Sequence, residues 1–105
     1  MKSKLWFFAI CLGLGSINIR AQPATTPPAD FQATLWASSC MACHGTDGKA
    51  EGVGRTIAAR NADELYSLLL SYKTGDKTGT VMNQHARGYS DQQLKRIADY
   101  FSRVR

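Results

Sequence analysis

The chain has 105 residues, of which 13 are Lys or Arg and 8 are Asp or Glu, giving a formal net charge of +5. This length fits one small domain. The basic residues form no dense stripe with interleaved aromatic side chains, so the composition gives nucleic-acid binding no support.

The first 21 residues have the pattern of a secretory signal peptide. A cationic start precedes the apolar run 5–14, and we expect cleavage after Ala21. The run is shorter than the roughly 20 residues of a spanning helix. We therefore expect a periplasmic bacterial protein without stable membrane insertion, an uncleaved anchor being the alternative. Cleavage would remove Lys2, Lys4 and Arg20 and no acidic residue, so the net charge would fall to +2.

Residues 22–29 are rich in Pro and Thr and predict an extended lead-in. Residues 30–105 then form one domain. Its first predicted helix runs from about Asp30, a suitable N-cap, to Ser39. Phe31, Leu35 and Trp36 define the apolar side expected for this helix.

Two further helices carry stronger end signals. The second begins at Asn61, with Glu64 at the third position, and ends at Gly75. The third begins at Ser90 with Gln93 completing a capping box. Both have apolar side chains at helical spacing: Leu65, Leu68, Leu69 and Tyr72 in the second, and Leu94, Ile97, Ala98 and Phe101 in the third. No alternating strand pattern occurs, so we predict an all-α domain.

The segment Cys40–His44 carries the clearest chemical signal. Cys40 and Cys43 are three residues apart, so one helical turn places both thiols on one side, as two thioether bonds to haem vinyl groups require. His44 follows directly and can bind the iron as the proximal ligand. We therefore predict one covalently attached haem c.

Two other uses of paired cysteines fit less well. A thioredoxin-like dithiol accompanies a βαβ pattern, which this sequence lacks. A structural zinc site usually takes its four ligands from two separated Cys/His pairs, and outside the motif the mature chain offers only the single His85.

Met82 is the candidate sixth ligand of the iron. It lies in the polar segment 79–84 between the second and third helices, where a loop can pass over the opposite haem face. Met41 lies within the motif itself, too close to reach the opposite haem face. The alternative for Met82 is a core-filling role. His85 is the rival ligand, although we expect it to be an exposed loop histidine.

The glycine-rich segment 46–54 resembles a phosphate-binding loop only superficially. Gly48–Lys49 is followed by Ala50 rather than Ser or Thr, and no strand precedes it. We expect its glycines to let the backbone turn tightly beside a haem ring.

Together, the residues Trp36, Cys40–His44, Gly45, Met82 and Tyr100–Phe101 resemble class I c-type cytochromes. The resemblance implies three to five short helices around one covalent haem, with the terminal helices crossing beside it. It also implies an electron carrier that is no enzyme by itself.

Five short strings resemble more closely the cytochrome subunit of flavocytochrome c sulfide dehydrogenase, in a single-haem form: Cys43–Thr46, Thr56–Ala58, Tyr72–Gly75, Val81–Met82 and Arg87–Ser90. This resemblance implies that a sulfide-oxidising flavoprotein subunit, or another redox protein, donates electrons. A freely diffusing respiratory carrier and a haem enzyme or sensor with an open sixth position are the alternatives.

Arg55 departs from the resemblance, because it stands where that family usually has proline. In class I cytochromes a backbone carbonyl of this loop accepts a hydrogen bond from the proximal imidazole, and any residue can supply it. The Arg55 side chain either reaches a haem propionate or is solvated.

Overall fold

The computed structural model describes residues 29–52 and 54–105. The predicted signal peptide and nearly all of the lead-in therefore lie outside the described residues. The described chain forms four α-helices and one 3₁₀ turn and contains no strand, which confirms the all-α prediction. The elements are α1 (Ala29–His44), the turn η1 (Thr46–Gly48), α2 (Ala62–Thr74), α3 (Met82–Arg87) and α4 (Asp91–Arg103).

Helix α2 begins and ends where the sequence predicts. The Asn61 side chain accepts hydrogen bonds from the backbone N–H groups of Asp63 and Glu64, at 2.9 and 3.1 Å. These are two of the donors that the first turn of a helix leaves without an intrahelical partner. Gly75 ends the helix in the left-handed region, with φ at 96°.

Helix α4 has the complete capping box. The Ser90 hydroxyl accepts from the Gln93 N–H at 3.2 Å, and the Gln93 side chain accepts from the Ser90 N–H at 2.8 Å. All four apolar residues predicted for its inner face are buried: Leu94, Ile97, Ala98 and Phe101. The sequence pattern is therefore confirmed at both the start and the buried face of this helix.

The core forms where α1 packs against α4 and α4 packs against α2. Ala37 of α1 is 0% exposed and Ala98 of α4 is 1% exposed. Small side chains at both positions let the two helices approach closely. Leu65 of α2 and Phe101 of α4 complete the centre of this core.

The buried side of α1 differs from the prediction. Phe31 and Leu35 are 51% and 48% exposed, whereas Ala33, Ala37 and Cys40 are buried. Trp36 is half-buried and packs against the core. The Arg96 guanidinium carbon lies over the Trp36 ring, 4.8 Å from the ring centroid. Helix packing at the crossing therefore selects the alanine face over the face with larger apolar side chains. Helix α1 also continues past Ser39 to His44.

Within the described residues, no helix is long and apolar enough to span a membrane.

Candidate functional site

The Cys40–His44 motif forms the last turn of α1. Cys40 and Cys43 are not joined in a disulfide; Cys40 is buried against the core and Cys43 is exposed. Their spacing of three residues within one continuous helix places the two sulfur atoms on neighbouring positions of the helix surface. One thiol therefore faces the core and the other faces outward, on neighbouring positions of the same helix.

Burial raises the pKa of the Cys40 thiol, and the adjacent Ser39 hydroxyl partly offsets this effect. A buried thiolate is costly because the low-dielectric interior disfavours the charged form. Before haem is attached, this position at the edge of the core therefore favours the neutral thiol of Cys40.

His44 is oriented by a backbone carbonyl. Its Nδ1 atom lies 2.6 Å from the carbonyl oxygen of Arg55. A carbonyl oxygen only accepts, so Nδ1 carries the proton and Nε2 presents its lone pair. Metal-binding imidazoles commonly show this arrangement, in which the second nitrogen donates to a carbonyl or carboxylate. The geometry of His44 thus fits the role of an iron ligand.

Glycine allows the Arg55 carbonyl to come this close to α1. A Cβ atom at Gly54 would overlap the carbonyl of Cys43, so the two backbones touch at this position. Gly45 has φ at +79°, which turns the chain sharply after His44. The segment that supplies the carbonyl is therefore folded directly against the last turn of α1.

The rest of this loop is anchored on α4. The Gly48 carbonyl accepts from the N–H groups of Ile57 and Ala58, at 2.8 and 3.1 Å. The Ala59 N–H donates to the Phe101 carbonyl at 2.9 Å. A Cβ atom at Gly48 would lie 2.8 Å from the Phe101 ring, so the glycine is required there. The loop turns tightly on its glycines, as the sequence predicts.

Met82 lies outside a loop, contrary to the prediction: it is the half-buried first residue of α3. The sequence gives little sign of α3, because this helix has six residues and its N-cap, Val81, makes no side-chain cap. Helix α3 packs against α2. The predicted position of Met82 between the second and third predicted helices is retained.

The prediction that His85 is an exposed loop histidine is also wrong. It belongs to α3 and is half-buried, with its ring 6.2 Å from the Tyr89 ring in an edge-on arrangement. Its Nε2 atom lies 3.4 Å from the Ser39 hydroxyl oxygen. This contact links α3 to α1.

Ser39 and Tyr89 join the segment after α3 to the helix of the cysteines. The Tyr89 hydroxyl lies 2.7 Å from the Ser39 hydroxyl oxygen, and Ser39 also donates to the Trp36 carbonyl at 2.8 Å. Ser39 immediately precedes Cys40, so the end of α3 and the residues after it lie beside the haem-attachment turn. The sequence does not single out this pair, because a serine in a helix has no distinctive local pattern.

Comparison with known proteins places the geometry in context. The family model for cytochrome c matches residues 32–104. The chain is 33% identical over 92 residues to the cytochrome subunit of sulfide dehydrogenase from Chlorobaculum tepidum, covering 88% of this chain and 84% of that protein. It is 35% identical over 109 residues to cytochrome c-553 from Nitratidesulfovibrio vulgaris, covering 99% of this chain and all of that protein. Cytochrome c-554(548) from Halomonas halodenitrificans is 34% identical over 68 residues, which span 61% of this chain and 82% of that protein.

Proposed function

Because the chain belongs to the cytochrome c family and carries one haem c as an electron carrier, we propose that four named residues hold that haem. Cys40 and Cys43 form the two thioether bonds, and His44 and Met82 bind the iron from opposite faces. In this arrangement the protein transfers single electrons and is no enzyme by itself.

The observation that carries this assignment is the hydrogen bond between His44 Nδ1 and the Arg55 carbonyl, 2.6 Å long. It fixes the tautomer in which Nε2 is the free donor atom, and it restrains rotation of the imidazole. A solvated histidine at a helix end has no need of such a partner. The bond therefore supports His44 as the proximal ligand.

The haem iron supplies the one-electron chemistry, and the protein supplies ligands, orientation and electrostatics. A thioether sulfur from Met82 favours ferrous iron and raises the reduction potential. A protein side chain in the sixth coordination position also keeps small molecules from binding the iron. This ligand set is suited to electron transfer.

The ligand assignment is tested with three holoproteins: wild type, Met82→Ala and His85→Ala. Ferric haem with an axial methionine has a weak charge-transfer absorption at the red end of the spectrum. We expect the band in the wild type and in His85→Ala, and its loss in Met82→Ala. A wild type without the band, or a band that survives Met82→Ala, would overturn the assignment.

We further propose that the protein is exported after removal of residues 1–21 and receives electrons from a sulfide-oxidising flavoprotein in the periplasm. The support is the similarity to the Chlorobaculum tepidum sulfide dehydrogenase subunit and the signal-peptide pattern of the sequence. A two-electron flavin donor would need two haem encounters per turnover. N-terminal sequencing of the exported holoprotein tests the cleavage site.

The partner is tested by stopped-flow haem reduction with the purified flavoprotein and sulfide, together with co-purification. We expect fast reduction by that flavoprotein and slow reduction by unrelated flavoproteins. Similar, salt-sensitive rates with many donors would instead identify a freely diffusing carrier.

A further inference from the structure

Asn83, the second residue of α3, binds three backbone groups that lie before Met82 in the chain. Its side-chain amide nitrogen donates to the carbonyl oxygens of Tyr72 and Lys77, each at 2.7 Å. Its side-chain oxygen accepts from the Gly79 N–H at 2.8 Å. One side chain therefore joins α3 to the end of α2 and to the connecting loop.

Among side chains of this size, only asparagine can bind all three of these backbone groups. Two carbonyl oxygens need two donors, and one N–H needs an acceptor, which is the donor and acceptor set of an asparagine amide. Aspartate keeps the acceptor but directs a second oxygen at the two carbonyls. Alanine leaves all three groups without this partner.

Helix α3 depends on such contacts because it has little stability of its own. It contains six residues and its N-cap residue makes no side-chain cap. Helices this short are unstable in isolation, since the first turn costs more conformational entropy than its hydrogen bonds return. The position of α3 is therefore set by its bonds to neighbouring segments.

The same contacts fix the backbone of Met82. Gly79, held by the Asn83 side chain, lies between the Tyr72 ring and Met82: a Cβ atom there would be 3.0 Å from the ring and 3.4 Å from the Met82 Cβ. Asn83 also follows Met82 directly in the chain. The Asn83 bonds thus restrain the residues on both sides of Met82.

We propose that Asn83 is a positioning residue that holds the Met82 sulfur over the haem iron. This inference rests on the proposed role of Met82 as the sixth ligand. Loss of the Asn83 amide frees α3 to move away from the haem face, so the iron spends more time without the methionine.

The test compares the holoproteins of wild type, Met82→Ala, Asn83→Ala, Asn83→Asp and Asn61→Ala. Asn61→Ala is the matched control, since it also removes an asparagine that bonds backbone groups of α2, but at the opposite end of that helix. The readouts are the ferric charge-transfer band, the rate of carbon monoxide binding to the reduced protein, the reduction potential and the thermal midpoint.

For Asn83→Ala we expect carbon monoxide to bind about tenfold faster than in wild type, which corresponds to about 1.4 kcal/mol in the detachment of Met82. The reduction potential should fall, and the charge-transfer band should weaken. Asn83→Asp keeps the side-chain volume and should show at least as large an effect. Asn61→Ala should lower the thermal midpoint and leave the other three readouts at wild-type values.

The proposal is overturned if both Asn83 variants lower only the thermal midpoint, as Asn61→Ala does. In that case, if Met82→Ala has lost the charge-transfer band, only the role of Asn83 fails and the assignment of Met82 as a ligand stands. If Met82→Ala retains the wild-type band, the ligand assignment fails and the role of Asn83 fails with it.

Discussion

His44 Nδ1 and the carbonyl oxygen of Arg55 are 2.6 Å apart, although eleven residues separate them in the chain. The family that the sequence resembles usually has a proline at the Arg55 position. The interaction uses only the backbone of Arg55, so it persists with an arginine there. The Arg55 side chain is exposed.

Gly54→Ala should disturb this hydrogen bond. The new Cβ atom would overlap the Cys43 carbonyl, so the loop must move away from α1 and carry the Arg55 carbonyl with it. We expect a loss of about 1–3 kcal/mol in the free energy of unfolding, with a change in the reduction potential. Denaturant unfolding and voltammetry of the holoprotein measure the two effects.

Gly52→Ala is the control for that substitution, because a Cβ atom at Gly52 would have no neighbour within 4 Å. It should leave stability and potential nearly unchanged. Equal effects of the two substitutions would show that loop composition, rather than contact with Cys43, determines the result.

Ala98→Leu should destabilise the crossing of α1 and α4. Ala98 is 1% exposed and shares the core with Ala37 and Phe101. A larger side chain forces the helices apart, at a cost of about 1–3 kcal/mol. Chemical denaturation checks this, with Ser67→Leu on the exposed side of α2 as the control. An Ala98→Leu variant as stable as wild type would contradict close packing at this crossing.

Tyr89→Phe should weaken the connection between α1 and the segment after α3. The phenol loses its contact with Ser39 at 2.7 Å, and we expect a cost of about 1 kcal/mol. Ser39→Ala removes the other partner. A double-mutant cycle should give a coupling of at least about 0.5 kcal/mol; additive effects would mean that the two hydroxyl groups act independently.

The raised pKa of the Tyr100 phenol should make the stability of the protein depend on pH. Burial raises the pKa of its phenol, and the neighbouring Asp47 carboxylate raises it further by charge repulsion of the phenolate and by hydrogen bonding. A raised pKa in the folded state gives stability that is present below the ordinary phenol pKa of about 10 and is lost as the pH rises through the higher folded-state value. Between pH 8 and 11, the free energy of unfolding should fall more steeply with pH for wild type than for Tyr100→Phe. Parallel curves would contradict this.

Both ends of α2 and the start of α4 were predictable because their signals are local. Asn61, Gly75 and Ser90 act within three or four residues of themselves, so the sequence pattern carries nearly all the information. The haem-attachment turn is local in the same sense. These features follow from residue type and spacing alone.

The buried face of α1 and the position of Met82 depended on tertiary contacts. Phe31 and Leu35 suggested a buried face, but the close approach of α4 requires Ala33 and Ala37 there. Helix α3 is too short to show periodicity, and Asn83 bonds backbone groups up to eleven residues away. Such bonds leave no pattern in the sequence near the residue that makes them.

Carbon monoxide binding to the reduced wild-type holoprotein tests most directly the central claim, that this haem has two protein ligands and serves electron transfer. If His44 and Met82 both bind the iron, carbon monoxide should bind only as slowly as Met82 dissociates. Met82→Ala should bind it rapidly under the same conditions. Rapid binding to the wild type, at the rate seen in Met82→Ala, would contradict the claim and indicate a haem enzyme or gas sensor with an open sixth position.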